Sequence, residues 1–157
     1  MTVEHNQELA SRYRQTRDEL LALCAVLERI ADSLPNEIDR DACLNASRAL
    51  IPLMNRAHRL EEDVLFPAIK SAGPLLIDIQ ATFDRLKLDH AGDEYFAEEL
   101  AETLMSCAQG APLQNAEATG YMLRGFFIGL RRHIAFEDTL LSPVLDQADQ
   151  GGTDSTH

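Results

Sequence analysis

The chain has 157 residues, 45% of them hydrophobic, which is enough for one core and favours a single domain. Its 14 Lys and Arg stand against 26 Asp and Glu, so the formal net charge is -12, and the chain repels phosphate backbones and anionic membranes. The opening residues lack the basic, apolar and small-residue succession of a secretory signal, and no apolar run approaches the roughly 20 residues that span a bilayer, so a soluble cytoplasmic protein is expected. Cys24, Cys43 and Cys107 are odd in number and far apart, which argues against a disulfide framework or a thiolate site and for buried free thiols.

Strand signals are nearly absent and helix formers dominate. The first helical stretch, about residues 3 to 34, follows a cap at Thr2 and sets Tyr13, Leu20, Leu23, Cys24, Leu27, Ile30 and Leu34 on one face before Pro35-Asn36 ends it. A second, about 39 to 71, carries Leu50, Met54, Leu65 and Ile69 and closes at Gly73-Pro74, with bends expected at Pro52 and Pro67. The third, about 75 to 109, shows Ile79, Phe83, Leu86, Ala97, Ala101 and Leu104 before Gly110, and its first two turns form a separate piece if the length is too great for one helix. The fourth, about 115 to 147, opens at a cap, Asn115, and carries Met122, Phe126, Leu130, Leu140 and Val144. Four amphipathic helices with short connections predict an all-α fold, an up-down antiparallel four-helix bundle, over residues 1–148, with a flexible polar tail at 149–157.

Polar residues interrupt three of the stripes. Leu50, Met54, His58, Glu62, Leu65 and Ile69 step by threes and fours, as do Leu86, His90, Glu94 and Ala97, and Leu130, His133, Glu137 and Leu140. Residues at i and i+4 are about 40° apart around a helix, so each His and Glu pair addresses one point in the interior. One such pair is weak evidence, because short motifs match by chance. Three pairs in one core would cost several kcal/mol if left unpartnered, and a bound cation removes that cost. Carboxylates mixed with imidazoles suit iron, manganese or zinc; iron, as a di-iron pair bridged by carboxylates, is the first choice, with a mononuclear site left open.

The motifs "HRLEEDVLFP" (His58, Glu62), "LDHAGDE" (His90) and "HIAFEDTLLSP" (His133, Glu137) resemble the hemerythrin-like, or HHE cation-binding, family in order and separation over about residues 10 to 147. The resemblance implies a hemerythrin-like bundle in which His58, His90 and His133 are terminal ligands and Glu62 and Glu137 bridge. Asp138 has the spacing of the last carboxylate in animal oxygen carriers, but a regular helix turns it about 140° from His133, which favours Glu137. Glu94 stands where those carriers have a further histidine and is a less certain ligand. The family's first-helix histidine has no counterpart: the inward face there offers Arg17 and Tyr13, and His5 lies too far towards the N-terminus.

Two functions follow from this reading. In the first, the chain binds iron and thereby binds or senses O2, NO or peroxide, or handles iron itself. In the alternative, it is an interaction or regulatory module whose site has lost its metal, with Arg17 pairing with Glu62 or Glu94 in the cation's place. Tyr13 is either a neighbour of the site or core filler with its hydroxyl at the edge. No nucleophile constellation or phosphate-cradling loop is present, so binding is favoured over enzymatic turnover. Nucleic acid and membrane are not expected partners, while a protein partner or a second copy stays open.

Overall fold

The computed structural model describes residues 3–71 and 78–150, with side chains at 4–71 and 78–147. Those residues are helical almost throughout: α1 (Val3–Ser33), α2 (Arg40–Arg59), a π-helical segment (Leu60–Leu65), α3 (Phe66–Ser71), α4 (Ile79–Ala108) and α5 (Ala116–Gln150). Since the π segment and α3 continue the line of α2, four long helical stretches make a bundle, as the stripes predict. The cap at Thr2, the stop at Gly73-Pro74, the start of the third stretch near residue 75 and most of the tail lie outside the described residues. Among the described residues no helix is long and apolar enough to cross a membrane.

Local chemistry sets the helix ends. Asp39 accepts a hydrogen bond from the Ala42 N–H at 3.0 Å and Asn115 from the Ala118 N–H at 2.9 Å, each satisfying an orphan donor of a first turn. At the end of α4 the chain reverses through Gly110 at φ 78, where the Gly110 and Ala111 N–H groups close back onto Cys107 and Ser106. The Arg40 side chain donates to the Ala108 carbonyl at 2.9 Å, tying the start of α2 to that end. Asp39→Ala is expected to lower stability by about 1 kcal/mol, read as a lower denaturant midpoint at unchanged slope.

Cross-helix pairs give the directions. Arg14, Arg17, Glu28 and Asp32 on α1 meet Asp146, Asp138, Arg131 and Arg124 on α5, so these two helices run oppositely. Ser47 and His58 on α2 meet Ala101 and Glu94 on α4 in the same opposed sense. All three cysteines are free and buried, as expected.

The apolar interior is divided in two. One block holds Leu20 to Ala31 of α1, Cys43 to Ala57 of α2, Ala97 to Cys107 of α4 and Leu123 to Ile134 of α5. The other holds Leu9, Tyr13, Leu60, Leu65, Phe66, Ile69, Phe83, Leu86, Leu141 and Leu145. On α5 the second block uses Leu141 and Leu145, while the expected Leu140 and Val144 are only partly buried. Between the blocks lies a layer of histidines and acids.

Candidate metal centre

The layer is built by short stretches of α2, the π segment, α4 and α5. His58, Glu61, His90 and Glu137 are its buried polar members. His90 is central: its ring stacks on His58 with centroids 3.9 Å apart and meets His133 edge-on at 5.2 Å. His90 Nδ1 lies 2.8 Å from Glu62 Oε1, and its Nε2 lies 3.0 Å from Glu137 Oε1. His133 Nε2 is in close contact with the same Glu137 oxygen, one helical turn on. Among the described residues, ligand atoms of His90, His133 and Glu137 all lie within 4.8 Å of one another.

The π segment corrects the reading of "HRLEEDVLFP". A regular helix would turn Glu62 inward and leave Glu61 on the solvated flank. Instead Glu61 is 5% exposed, with Oε2 3.0 Å from His90 Nε2, while the Glu62 side chain is 29% exposed and reaches the outer nitrogen of His90. The cause is Pro67, which has no N–H for the Asp63 carbonyl and whose ring crowds that group. The turn ahead of it widens to an i→i−5 pattern, in which the Phe66 N–H bonds to the Glu61 carbonyl, and the extra residue rotates the helix face. Asp63 is exposed.

Glu94 likewise sits at the rim, its side chain 40% exposed, with Oε1 2.8 Å from His58 Nδ1. Arg17 does not take the place predicted for a substitute cation. It bonds Asp138 Oδ1 at 3.2 Å and Asp18 at 3.1 Å rather than Glu62 or Glu94. The buried Tyr13 donates to the same Asp138 oxygen at 2.7 Å, so α1 holds Asp138 aside and leaves Glu137 as the inward carboxylate of α5. His5 is exposed, in line with its exclusion. Two members of the layer escaped sequence reasoning: Glu61, for which Pro67 was the signal, and half-buried Asp93, one turn beyond His90.

Proton affinities follow from this crowding. Burial pushes the Glu61 carboxyl up to about 8, against the lowering effect of His90 and with the neighbouring Glu137 charge adding to the rise. Burial works against the charge on Glu137 as well, but the neighbouring His133 and His90 rings and the Glu61 carboxyl outweigh it and hold that carboxyl down to about 2. For His90 burial opposes protonation, yet Glu137 and Glu61 raise it to about 10. Burial and the stacked His90 lower His58. Burial and Asp138 keep the Tyr13 phenol protonated well beyond its ordinary range.

The donor set fits a cation. Among the described residues Glu61 Oε2 and His133 Nε2 are buried without a hydrogen-bond partner, although each has another ligand atom of the layer close by. Buried orphan acceptors are costly, and a metal ion is a partner both could share. Imidazole with carboxylate, and no thiolate, is the chemistry of iron, manganese or zinc. The family model for the hemerythrin HHE cation binding domain matches residues 11–145. No curated protein and no solved structure matches closely enough to add to it. With the matched span covering nearly the whole bundle, the chain belongs to the hemerythrin HHE cation-binding domain family.

Proposed function

We propose that the chain is a non-haem iron protein of hemerythrin type that binds or senses a small oxidant or diatomic ligand, O2, NO or peroxide, or handles iron itself. The observation that carries this is the convergence of His90, His133 and Glu137 beside the orphaned Glu61 Oε2 in a buried layer. His90, His133, Glu137 and Glu61 would hold one ion, and the stacked His58 beside them would be a further donor for a second, which makes a di-iron pair the preferred reading. Iron, when bound, supplies electrons and an open coordination position. No α1 imidazole reaches the layer among the described residues, because His5 is exposed and Tyr13 and Arg17 are committed to Asp138, and this favours such an opening.

The residues of the chain do the remaining work. His58 and His90 stack and fix each other's planes, while Glu94 and Glu62 hold their outer nitrogens and so orient both rings. The apolar blocks close the layer above and below, while Glu62 and Glu94 stand at its solvent-facing rim. The opposed α1–α5 and α2–α4 pairs support an up-down antiparallel bundle, read as one domain over residues 1–148 of a soluble, cytoplasmic protein.

The test is anaerobic reconstitution with ferrous iron, followed by metal analysis and a near-ultraviolet spectrum before and after oxygen. The expected result is about two iron ions per chain and a new charge-transfer absorption on oxidation. One ion per chain would reduce the proposal to a mononuclear site; no retained iron, zinc or manganese would overturn it in favour of a metal-free interaction module.

A further inference from the structure

Between α1 and the line of α2 the bundle holds a groove of about 740 Å³, within the size range of small-ligand sites. Two helix faces wall it. Arg12, Thr16 and Glu19 step by four and three along α1, and Pro52, Asn55, Arg59 and Asp63 step by three and four from α2 into the π segment. Ile51, Pro52, Leu60 and Val64 make its lining apolar, and Leu60 and Val64 also pack into the block behind, so the groove has a floor as well as walls.

Its charges run against those of the molecule. Acids outnumber Lys and Arg by 26 to 14 in the chain, yet three arginines, Arg12, Arg56 and Arg59, line this groove. Arg56 donates to Glu19 Oε2 at 2.9 Å and so ties one wall to the other. Arg12 and Arg59 are exposed and make no ion pair among the described residues. With Glu19 held by Arg56, Asp63 is the one acid left in the lining, and the two remaining guanidiniums outweigh it. An unpaired guanidinium offers a flat fork of donors that matches a carboxylate or a phosphate. The apolar floor beside it favours a hydrocarbon body over water. An inorganic ion would leave that floor wet, and an uncharged ligand would leave the forks unused.

We propose that the α1–α2 groove binds a small amphipathic organic anion, its carboxylate or phosphate head taken by Arg12 and Arg59 and its hydrocarbon body laid on Ile51, Pro52, Leu60 and Val64. The site is independent of whether the core layer binds metal. Isothermal titration calorimetry of the full chain with octanoate and, separately, with octyl phosphate tests it, with octan-1-ol as the uncharged control. Saturable binding of at least one anion with a Kd below about 1 mM is expected, and none of the alcohol. The tighter anion identifies the head group. Arg12→Gln combined with Arg59→Gln is expected to weaken binding about 10-fold or more at an unchanged melting temperature, since neither side chain has an ion-pair partner to lose. Asn55→Glu sets a carboxylate one turn before Arg59 and is expected to weaken binding similarly, whereas Arg132→Gln, exposed on α5 and outside the groove, leaves it unchanged. Saturable binding of neither anion, equal binding of octan-1-ol, a double variant that binds as wild type does, or an equal loss at Arg132→Gln would overturn the site.

Discussion

Glu61→Ala is expected to lower iron affinity about 100-fold, and Glu62→Ala by about 10-fold or less. The adjacent acids differ because the π segment turns one in and the other out. Glu61 is 5% exposed and shares the interior with His90 and Glu137, whereas Glu62 touches only the outer nitrogen of His90 from a position open to solvent. Losing Glu61 removes a donor. Losing Glu62 removes a group that orients one. Competition titrations with a chromogenic ferrous chelator would measure both, with circular dichroism checking the fold. Equal losses, or a larger loss at Glu62, would mean that the helix is regular there and that the 3.6-residue stripe was the right guide.

The second large effect is proton release. Metal ligands must be deprotonated, so a site that holds protons when metal-free binds more weakly as pH falls. Glu61, raised to about 8 by burial and by Glu137, carries a proton at neutral pH. His90 does too, because Glu137 and Glu61 override its burial and lift it to about 10. Both pKa values are raised, so both protons are present below pH 8 and each binding event must displace them. Against its burial, Glu137 raises the His133 ring as well, so affinity is expected to climb with pH by about one decade per unit for each ligand that must lose a proton, and less steeply above about pH 8, where Glu61 is already ionised. Calorimetry in buffers of differing ionisation enthalpy would count the protons, and a count near zero at pH 7 is incompatible with this protonation pattern.

Much of this was legible in the sequence because helical periodicity and ligand spacing are local properties. The stripes through Leu27, Met54, Phe83 and Phe126 located the core, and the histidines interrupting three of them located the layer. Asn115 was readable as a cap from its residue type and position alone. What failed was the assumption of constant phase. A single widened turn moved Glu61 into the interior, and the assumption of a regular helix could not reveal it, although Pro67 marked the place. The partner of Arg17 was hidden for another reason. Its choice of Asp138 over Glu62 or Glu94 depends on how α1 and α5 sit against each other, which no pattern within either helix records. Tyr13 belonged on an inward face either way, but only the packed bundle shows its hydroxyl reaching the same carboxylate.

The division of the apolar interior by this layer bears on how the molecule comes apart. Each block has its own side chains, drawn from all four long helical stretches, and only the helix backbones and the layer's polar contacts pass between them. A break in apolar contact is a seam along which cooperativity weakens, so the block around Phe66 and Leu141 is a separate unit of opening from the block around Leu27 and Met54. What fills the seam then decides whether the bundle melts as one body or as two. A cation held by α4, α5 and the π segment would act as a rivet between blocks that the hydrophobic effect alone leaves side by side.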